Sequence, residues 1–222
     1  MSCTCCDFDR TTDLQFNADK AASELTAYRR GHLGPTTRRL RDDIVEAKLN
    51  KGTLLDIGGG VGPLTFELLN RGMTSAIIAD ASAAYAAAAT EEAGLRALTD
   101  RAQIVHGDFL CLATTLPSAD LVTLDRVVCC YPDYEPMLEQ SLSHAKRGIA
   151  LSYPRDRWYV RVAMSFDNVK RARRSGFRTF VHPPRRIQTI IEKEGFALVR
   201  RRLTIQWTID VYARTSAQCD PW

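Results

Sequence analysis

The sequence predicts an α/β protein built on a parallel sheet with helices on both faces. Three observations carry this. Short apolar runs bounded by turn residues alternate with helix-compatible stretches from residue 53 to 153. The first run ends in Gly58-Gly59-Gly60-Val61-Gly62, and such a glycine turn suits a strand that passes directly into a helix. Two stretches of period-2 alternation, 196–202 and 206–213, close the pattern.

Taken in order, residues 1–12 read as a loose polar leader. Ala18, Ala21, Ala22, Leu25 and Tyr28 make 17–30 helix-compatible, and Gly31, Gly34 and Pro35 interrupt it. Pro35 opens a second helix to residue 49, since proline is tolerated in a first turn. Leu40, Ile44, Val45 and Leu49, with Thr37 beside them, give that helix an apolar stripe. Residues 53–57 form a buried strand, 63–70 a helix closed by Arg71-Gly72, and 75–79 a second strand. Ser82 caps a helix to 98, whose alanine run favours helix. Strands at 102–106 and 119–124, a helix at 134–145 and a strand at 148–153 continue the rhythm.

Residues 154–180 break it. They hold Arg155, Arg157, Arg161, Lys170, Arg171, Arg173, Arg174 and Arg178, with Trp158, Val162, Phe166 and Val169 at helical spacing. This is the pattern of an inserted amphipathic helix. Its basic residues either meet an anionic substrate or acidic membrane surface, or are simply solvated. The apolar stripe is expected in the core. Pro183-Pro184 opens a last helix to 194. The chain thus divides into a leader and helical lid at 1–50, a main domain at 51–214 with an insert near 154–180, and a loose tail at 215–222.

Composition bounds the function. A chain of 222 residues can bury one full core. With 45% hydrophobic and 25% charged residues, wholesale disorder and collagen-like structure are excluded. The net charge of +4 is too mild to argue for nucleic acid. No apolar run reaches the ~18 residues of a membrane span, and no secretory signal is expected from the polar N-terminal residues. An odd count of seven cysteines does not suggest a disulfide framework, so a cytoplasmic setting is expected. Cys3, Cys5 and Cys6 either belong to the leader or fold over Cys129-Cys130 as thiolates for a soft metal or metalloid.

The glycine turn is the decisive text. A dinucleotide fingerprint needs a third glycine where Pro63 stands, and the Gly-Lys-Ser/Thr of a phosphate loop is absent. The residues fit Asp-x-Gly-x-Gly-x-Gly, with Asp56, Gly58, Gly60 and Gly62. An acid ahead of the glycines discourages phosphate and suits a cationic ligand such as S-adenosylmethionine. Asp80, at the end of the second strand, can accept both ribose hydroxyls. Asp108, at the end of the third, can accept from the adenine amino group, with Phe109 packing nearby. Asp125, at the end of the fourth, can meet the methionine moiety, serve as a cap or pair with Arg126. Ligands of doubly wound sheets bind beyond the carboxyl ends of the strands, where all these acids fall. A glycine turn alone is also an ordinary strand–helix turn, and a lone aspartate an ordinary cap; the joint placement favours the site.

On these residues, the stretch 54–213 resembles a class I S-adenosylmethionine-dependent methyltransferase. The resemblance implies a Rossmann-like, seven-stranded, mostly parallel sheet with an antiparallel last strand, S-adenosylmethionine as cofactor, and a small-molecule methyl acceptor such as a carboxylate or hydroxyl. Arg29-Arg30-Gly31-His32, Tyr131-Pro132, residues 178–182 and Gly195-Phe196 are similar to magnesium-protoporphyrin O-methyltransferases, which methylate a propionate under a lid of N-terminal helices and an insert. By that likeness, Tyr28, His32 and the insert face the substrate, Tyr131 walls the sulfonium side, and these three residues are the catalytic candidates. Cys130 stands where that pattern has histidine. Thiol or metalloid methylation at Cys129/Cys130 and a non-catalytic cofactor-binding protein remain as alternatives. His106 and His144 read as structural, and His182 as a helix-entry residue or a base that reaches the substrate. Nucleic acid is not an expected substrate, because no Pro-Pro-Tyr/Phe signature follows Asp125.

Overall fold

A computed structural model describes the backbone of residues 4–215 and the side chains from Arg10 onward. Three helices come first: α1 (Thr4–Gln15), α2 (Ala18–Arg29) and α3 (Pro35–Glu46). The alternation follows as β1 (Gly52–Ile57), α4 (Pro63–Leu69), β2 (Met73–Asp80), α5 (Ala83–Leu95), β3 (Ala102–His106), α6 (Phe109–Leu112) and β4 (Ala119–Asp125). After a 3-10 turn at Val128–Cys130 come α7 (Tyr134–His144), β5 (Ala145–Pro154), α8 (Trp158–Arg174), α9 (Pro184–Lys193), β6 (Phe196–Leu203) and β7 (Trp207–Arg214).

The strands form one sheet in the order β3-β2-β1-β4-β5-β7-β6. Neighbours from β3 through β5 are parallel, and β7 pairs antiparallel with both β5 and β6. The order reverses between β1 and β4, which opens a crevice at their carboxyl ends. Alternation of side chains along each strand feeds two cores. Leu54, Leu121, Ala150 and Val211 pack with Leu40, Ile44 and Phe66 on one face. Leu55, Val122, Leu151 and Tyr212 pack with Leu138, Ile187 and Phe196 on the other. Each large side chain so buried is worth about 1.5–3 kcal/mol.

Helix α3 belongs to the sheet rather than lying loosely over it. Its buried Asp43 carboxylate accepts from Arg202 on β6 at 2.6 and 3.0 Å and from Arg200 at 3.4 Å. From the same helix, the Thr37 hydroxyl donates to Asp125 at the tip of β4. No helix among the described residues is long and apolar enough to cross a membrane.

Three features depart from expectation. Residues of the expected loose leader are helical in α1. Tertiary contacts hold that end of the chain: the Asp13 carboxylate accepts the Ala83 N–H at 2.9 Å, and the Ser175 hydroxyl donates to Gln15 at 3.0 Å. The Phe16 ring that follows meets Tyr85 and Phe177 edge-on. Strand β5 begins at Ala145, ahead of the expected 148, because it pairs with β4 from Ala119 onward despite the polar Lys146-Arg147. The apolar stripe of the insert faces outward: Trp158 is 76% exposed, Val162 47%, Phe166 68% and Val169 55%. Val160 and Met164, on the other side of α8, are the residues it buries.

Candidate active site

Strand β1 delivers its chain into the glycine turn at the crevice. The Gly58 N–H donates to Ala79 O at 2.7 Å, which ties the turn to β2. Gly58 has φ +62, and a Cβ there would lie 2.5 Å from Val127, so only glycine lets the turn and the β4 loop approach this closely. Gly60 also has φ +62, but its missing Cβ would meet only the Tyr85 ring, at 3.4 Å. Its bare backbone therefore faces open space. Gly62 is different. It precedes α4, a Cβ on it would strike the Phe66 ring at 2.5 Å, and it packs beneath the turn instead of lining the cleft.

The strand-tip acids divide likewise. The Asp80 carboxylate accepts from Gly60 N at 2.8 Å and Ser82 N at 2.9 Å beside the open glycine. Burial raises its pKa against those two bonds. Asp56 also lines the cleft, at the root of the turn, but its oxygens accept from Thr65 at 2.7 Å and Thr123 at 2.6 Å. Burial pushes its pKa up to about 7, so its negative charge is not fixed at neutral pH. Asp108 starts α6 by accepting the Leu110 N–H. It also accepts the Tyr131 hydroxyl at 2.5 Å, and burial beside this carboxylate pushes the phenol pKa well up. Gly107 and Phe109, on either side of Asp108, line the cleft. Asp125 accepts from the Ser152 and Thr37 hydroxyls, with Arg126 Nε 3.8 Å away.

Arg126 marks the turn toward the other end. It has φ +64, an unusual conformation for a residue with a side chain. Its N–H donates to the Ser152 hydroxyl at 2.9 Å, and its carbonyl accepts the Cys129 and Cys130 thiols at 3.4 and 3.5 Å. These bonds over-determine the backbone and leave the half-exposed guanidinium in the cleft. A hydrogen bond from Cys130 lowers the Cys129 thiol pKa and raises that of Cys130, so ionisation of one suppresses the other. Lys20 from α2 sits 4.3 Å over the Phe16 ring, and burial lowers its pKa. Helix α8 adds Met164, Asp167 and Arg171. Together the two ends enclose about 270 Å³. Among the described residues, no group of three or more His, Cys, Asp or Glu side chains is arranged to hold a metal ion.

No protein-family model matches the chain. No curated protein matches it significantly. Solved structures do. The magnesium protoporphyrin IX methyltransferase from Synechocystis PCC 6803, with bound S-adenosylhomocysteine, aligns over 81% of this chain and 82% of its own, with TM-score 0.67 and 21% identity. An O-methyltransferase family protein from Burkholderia thailandensis aligns over 92% of this chain and 62% of its own, with TM-score 0.70 and 16% identity. This is the Rossmann-like methyltransferase fold. A 4+2 cyclase shares it too, over 81% of each chain, with TM-score 0.61 and 14% identity. The chemistry performed on the fold is therefore decided by the cleft.

Within the methyltransferase fold, the expected catalytic residues do not gather. Tyr28 lies outside the cleft, stacked on Phe66 with the Arg96 guanidinium 4.4 Å over its ring. Its hydroxyl is buried without a partner, and burial pushes its pKa up to about 12. His32 is exposed beyond α2, away from the cleft. Packing fixes both positions: α2 turns Ala21, Leu25 and Tyr28 inward and presents Lys20 and Glu24 to the cleft. Tyr131 does line the cleft, but its hydroxyl is committed to Asp108 rather than to the basic end. His182 is buried against Tyr134, with Nε2 3.0 Å from Tyr131 O. His144 sits between the carbonyls of Gln140 and Ala113. The insert reaches the cleft as expected. Lys20 and Glu24 were missed, although their spacing by four places them on one line of α2. The alternative of a thiolate cluster over Cys129-Cys130 rests on Cys3, Cys5 and Cys6, whose side chains lie outside the described residues.

Proposed function

We propose that the protein transfers a methyl group from S-adenosylmethionine to a small anionic acceptor, a carboxylate above all. One observation carries the reading: a single cleft joins a glycine-and-carboxylate end to an end where three cations, Lys20, Arg126 and Arg171, gather beside Glu24 and Asp167. The residues present fit the cofactor. Gly60 offers bare backbone, the Asp80 carboxylate accepts hydroxyl donors, and Phe109 offers an apolar surface beside a base. S-adenosylmethionine would supply an electrophilic methyl group carried on sulfur.

The chain's own residues would then bind, orient and shield. Asp80 holds the sugar, and Asp108 fixes Tyr131 as a wall of the base side. Lys20, Arg126 and Arg171 hold the acceptor carboxylate, which is already ionised and needs no general base. Helices α1, α2 and α8 act as the lid that excludes water and aligns the reacting groups. The acceptor oxygen gains the methyl as the sulfur–carbon bond breaks, and the positive charge on sulfur disperses.

The test is calorimetry with S-adenosylmethionine, followed by a panel of carboxylic acids and their amides assayed for S-adenosylhomocysteine. Binding plus turnover of the acids supports the reading, and absence of binding ends it. The convergence of the Cys129 and Cys130 thiols on one carbonyl favours a second reading, methyl transfer to a thiol or metalloid. Turnover retained in a Cys129→Ser, Cys130→Ser variant removes it.

A further inference from the structure

Helix α8 has two apolar lines on opposite sides. The inner line, Val160 and Met164, is buried, with Met164 lining the cleft, while the outer line, Trp158, Val162, Phe166 and Val169, is exposed. Exposed apolar patches of this kind mark interaction surfaces. The Tyr159 hydroxyl donates to Ile205 O at 3.0 Å, which brings the 81% exposed Ile205 beside the start of the same face. We propose that this outer face docks the protein on an anionic lipid surface, with the four apolar side chains at the headgroup–acyl boundary and the flanking bases on lipid phosphates.

The charge distribution selects this occupant. Helix α8 holds five basic residues and one acid, an excess equal to the net +4 of the whole chain. The acid, Asp167, lines the cleft on the inner side. Arg161, Lys170 and Arg173 follow Trp158, Phe166 and Val169 at helical spacing of three or four and are exposed, so bases border the outer stripe. Asp156, just before the helix, is already paired with Arg161 at 2.6 Å. A second copy docked face to face would set Arg161, Lys170 and Arg173 against their own counterparts, whereas an anionic surface complements them. At 17 residues with charged groups throughout, the helix suits a position along the interface of about 25 Å rather than across it. The proposal does not depend on methyl transfer. It does place the basic end of the cleft directly beneath the docked helix.

The experiment is co-sedimentation of the full chain with vesicles of phosphatidylcholine, alone or with about one-quarter phosphatidylglycerol. The expected result is binding to the anionic vesicles at least about tenfold tighter than to the neutral ones. A Trp158→Ser, Phe166→Ser variant should keep the melting temperature and lose about tenfold or more in partitioning. Lys170→Gln and Arg173→Gln should each lose roughly fivefold. No sedimentation with anionic vesicles, equal binding to both, or undiminished binding by the double-serine variant overturns the proposal. So does a chain that sizes as a dimer and becomes a monomer in that variant, which would assign the face to a second copy.

Discussion

At the glycine end of the cleft the contacts come from backbone and from buried carboxylates on strand tips. At the basic end they come from long side chains on α2, α8 and the turn after β4. The difference shows in what is already satisfied. Asp56 and Asp80 each receive two hydrogen bonds from the protein, which fixes them before any ligand arrives. Arg171 has no side-chain hydrogen bond or ion pair among the described residues, and Arg126 has only the 3.8 Å approach to Asp125. A rigid end suits one invariant ligand. An end of long charged side chains, Lys20, Arg126 and Arg171 beside Glu24 and Asp167, suits a ligand whose shape varies.

The sharpest way to break this contrast is at Gly60. Gly60→Val should lower affinity for S-adenosylmethionine at least about 100-fold by calorimetry, because the left-handed backbone and the open approach are lost together. Unchanged affinity would remove the rigid end from the account. The next effect belongs to the basic end. Arg126→Asn, which tolerates positive φ, should lower kcat/KM for a carboxylate acceptor roughly 10–100-fold, the worth of a charge-assisted hydrogen bond. Affinity for S-adenosylmethionine should not move, and a parallel loss would mean that the two ends are not separable.

A smaller effect tests how far burial strains the rigid end. With its pKa raised to about 7 by burial, Asp56 binds a proton in the folded state that it releases when unfolded. Stability therefore falls as pH rises from about 4 to 7. Asp56→Asn removes this dependence, so a variant whose melting temperature matches the parent at pH 5 should exceed it by roughly 5–10 °C at pH 8. A constant difference across pH would refute the assignment. The smallest effect is expected at Tyr28→Phe. Deleting an unpartnered buried hydroxyl should raise the melting temperature by about 2 °C and leave turnover unchanged. Lost turnover would restore Tyr28 as a catalytic residue.

The same contrast explains what the sequence disclosed. The glycine end was legible because its parts are contiguous or fall at the ends of consecutive apolar strands: Gly58 and Gly60 in one turn, and Asp80 and Asp108 where β2 and β3 stop. Even there, local text could not tell that Asp56 spends its oxygens on Thr65 and Thr123, or that Gly62 is demanded by Phe66. The basic end was not legible, because Lys20, Arg126 and Arg171 meet only through tertiary packing. The left-handed turn at Arg126 has no composition signal, since glycine is absent there. Helix α8 shows the limit of periodicity most plainly. Spacing aligned Trp158, Val162, Phe166 and Val169 on one side, but nothing in a 3.6-residue period says which side is covered. The packing of Val160 and Met164 decided it. Tyr28 misled in the same way: the residue sits in the expected helix, yet Phe66 and Arg96 claim its ring.

The latch between Asp43 and the two β6 arginines has a practical corollary for anyone cutting or grafting this chain. Replacing everything before Gly31 leaves this latch intact, but a graft must still supply the side chains that Ala21, Leu25 and Tyr28 send into the core. A cut after Asp43 strands two arginines without their carboxylate and takes away the Thr37 hydroxyl that steadies the tip of β4. A graft boundary that spares the latch therefore lies in the Gly31–Gly34 link, one helix earlier than the start of the first strand would suggest.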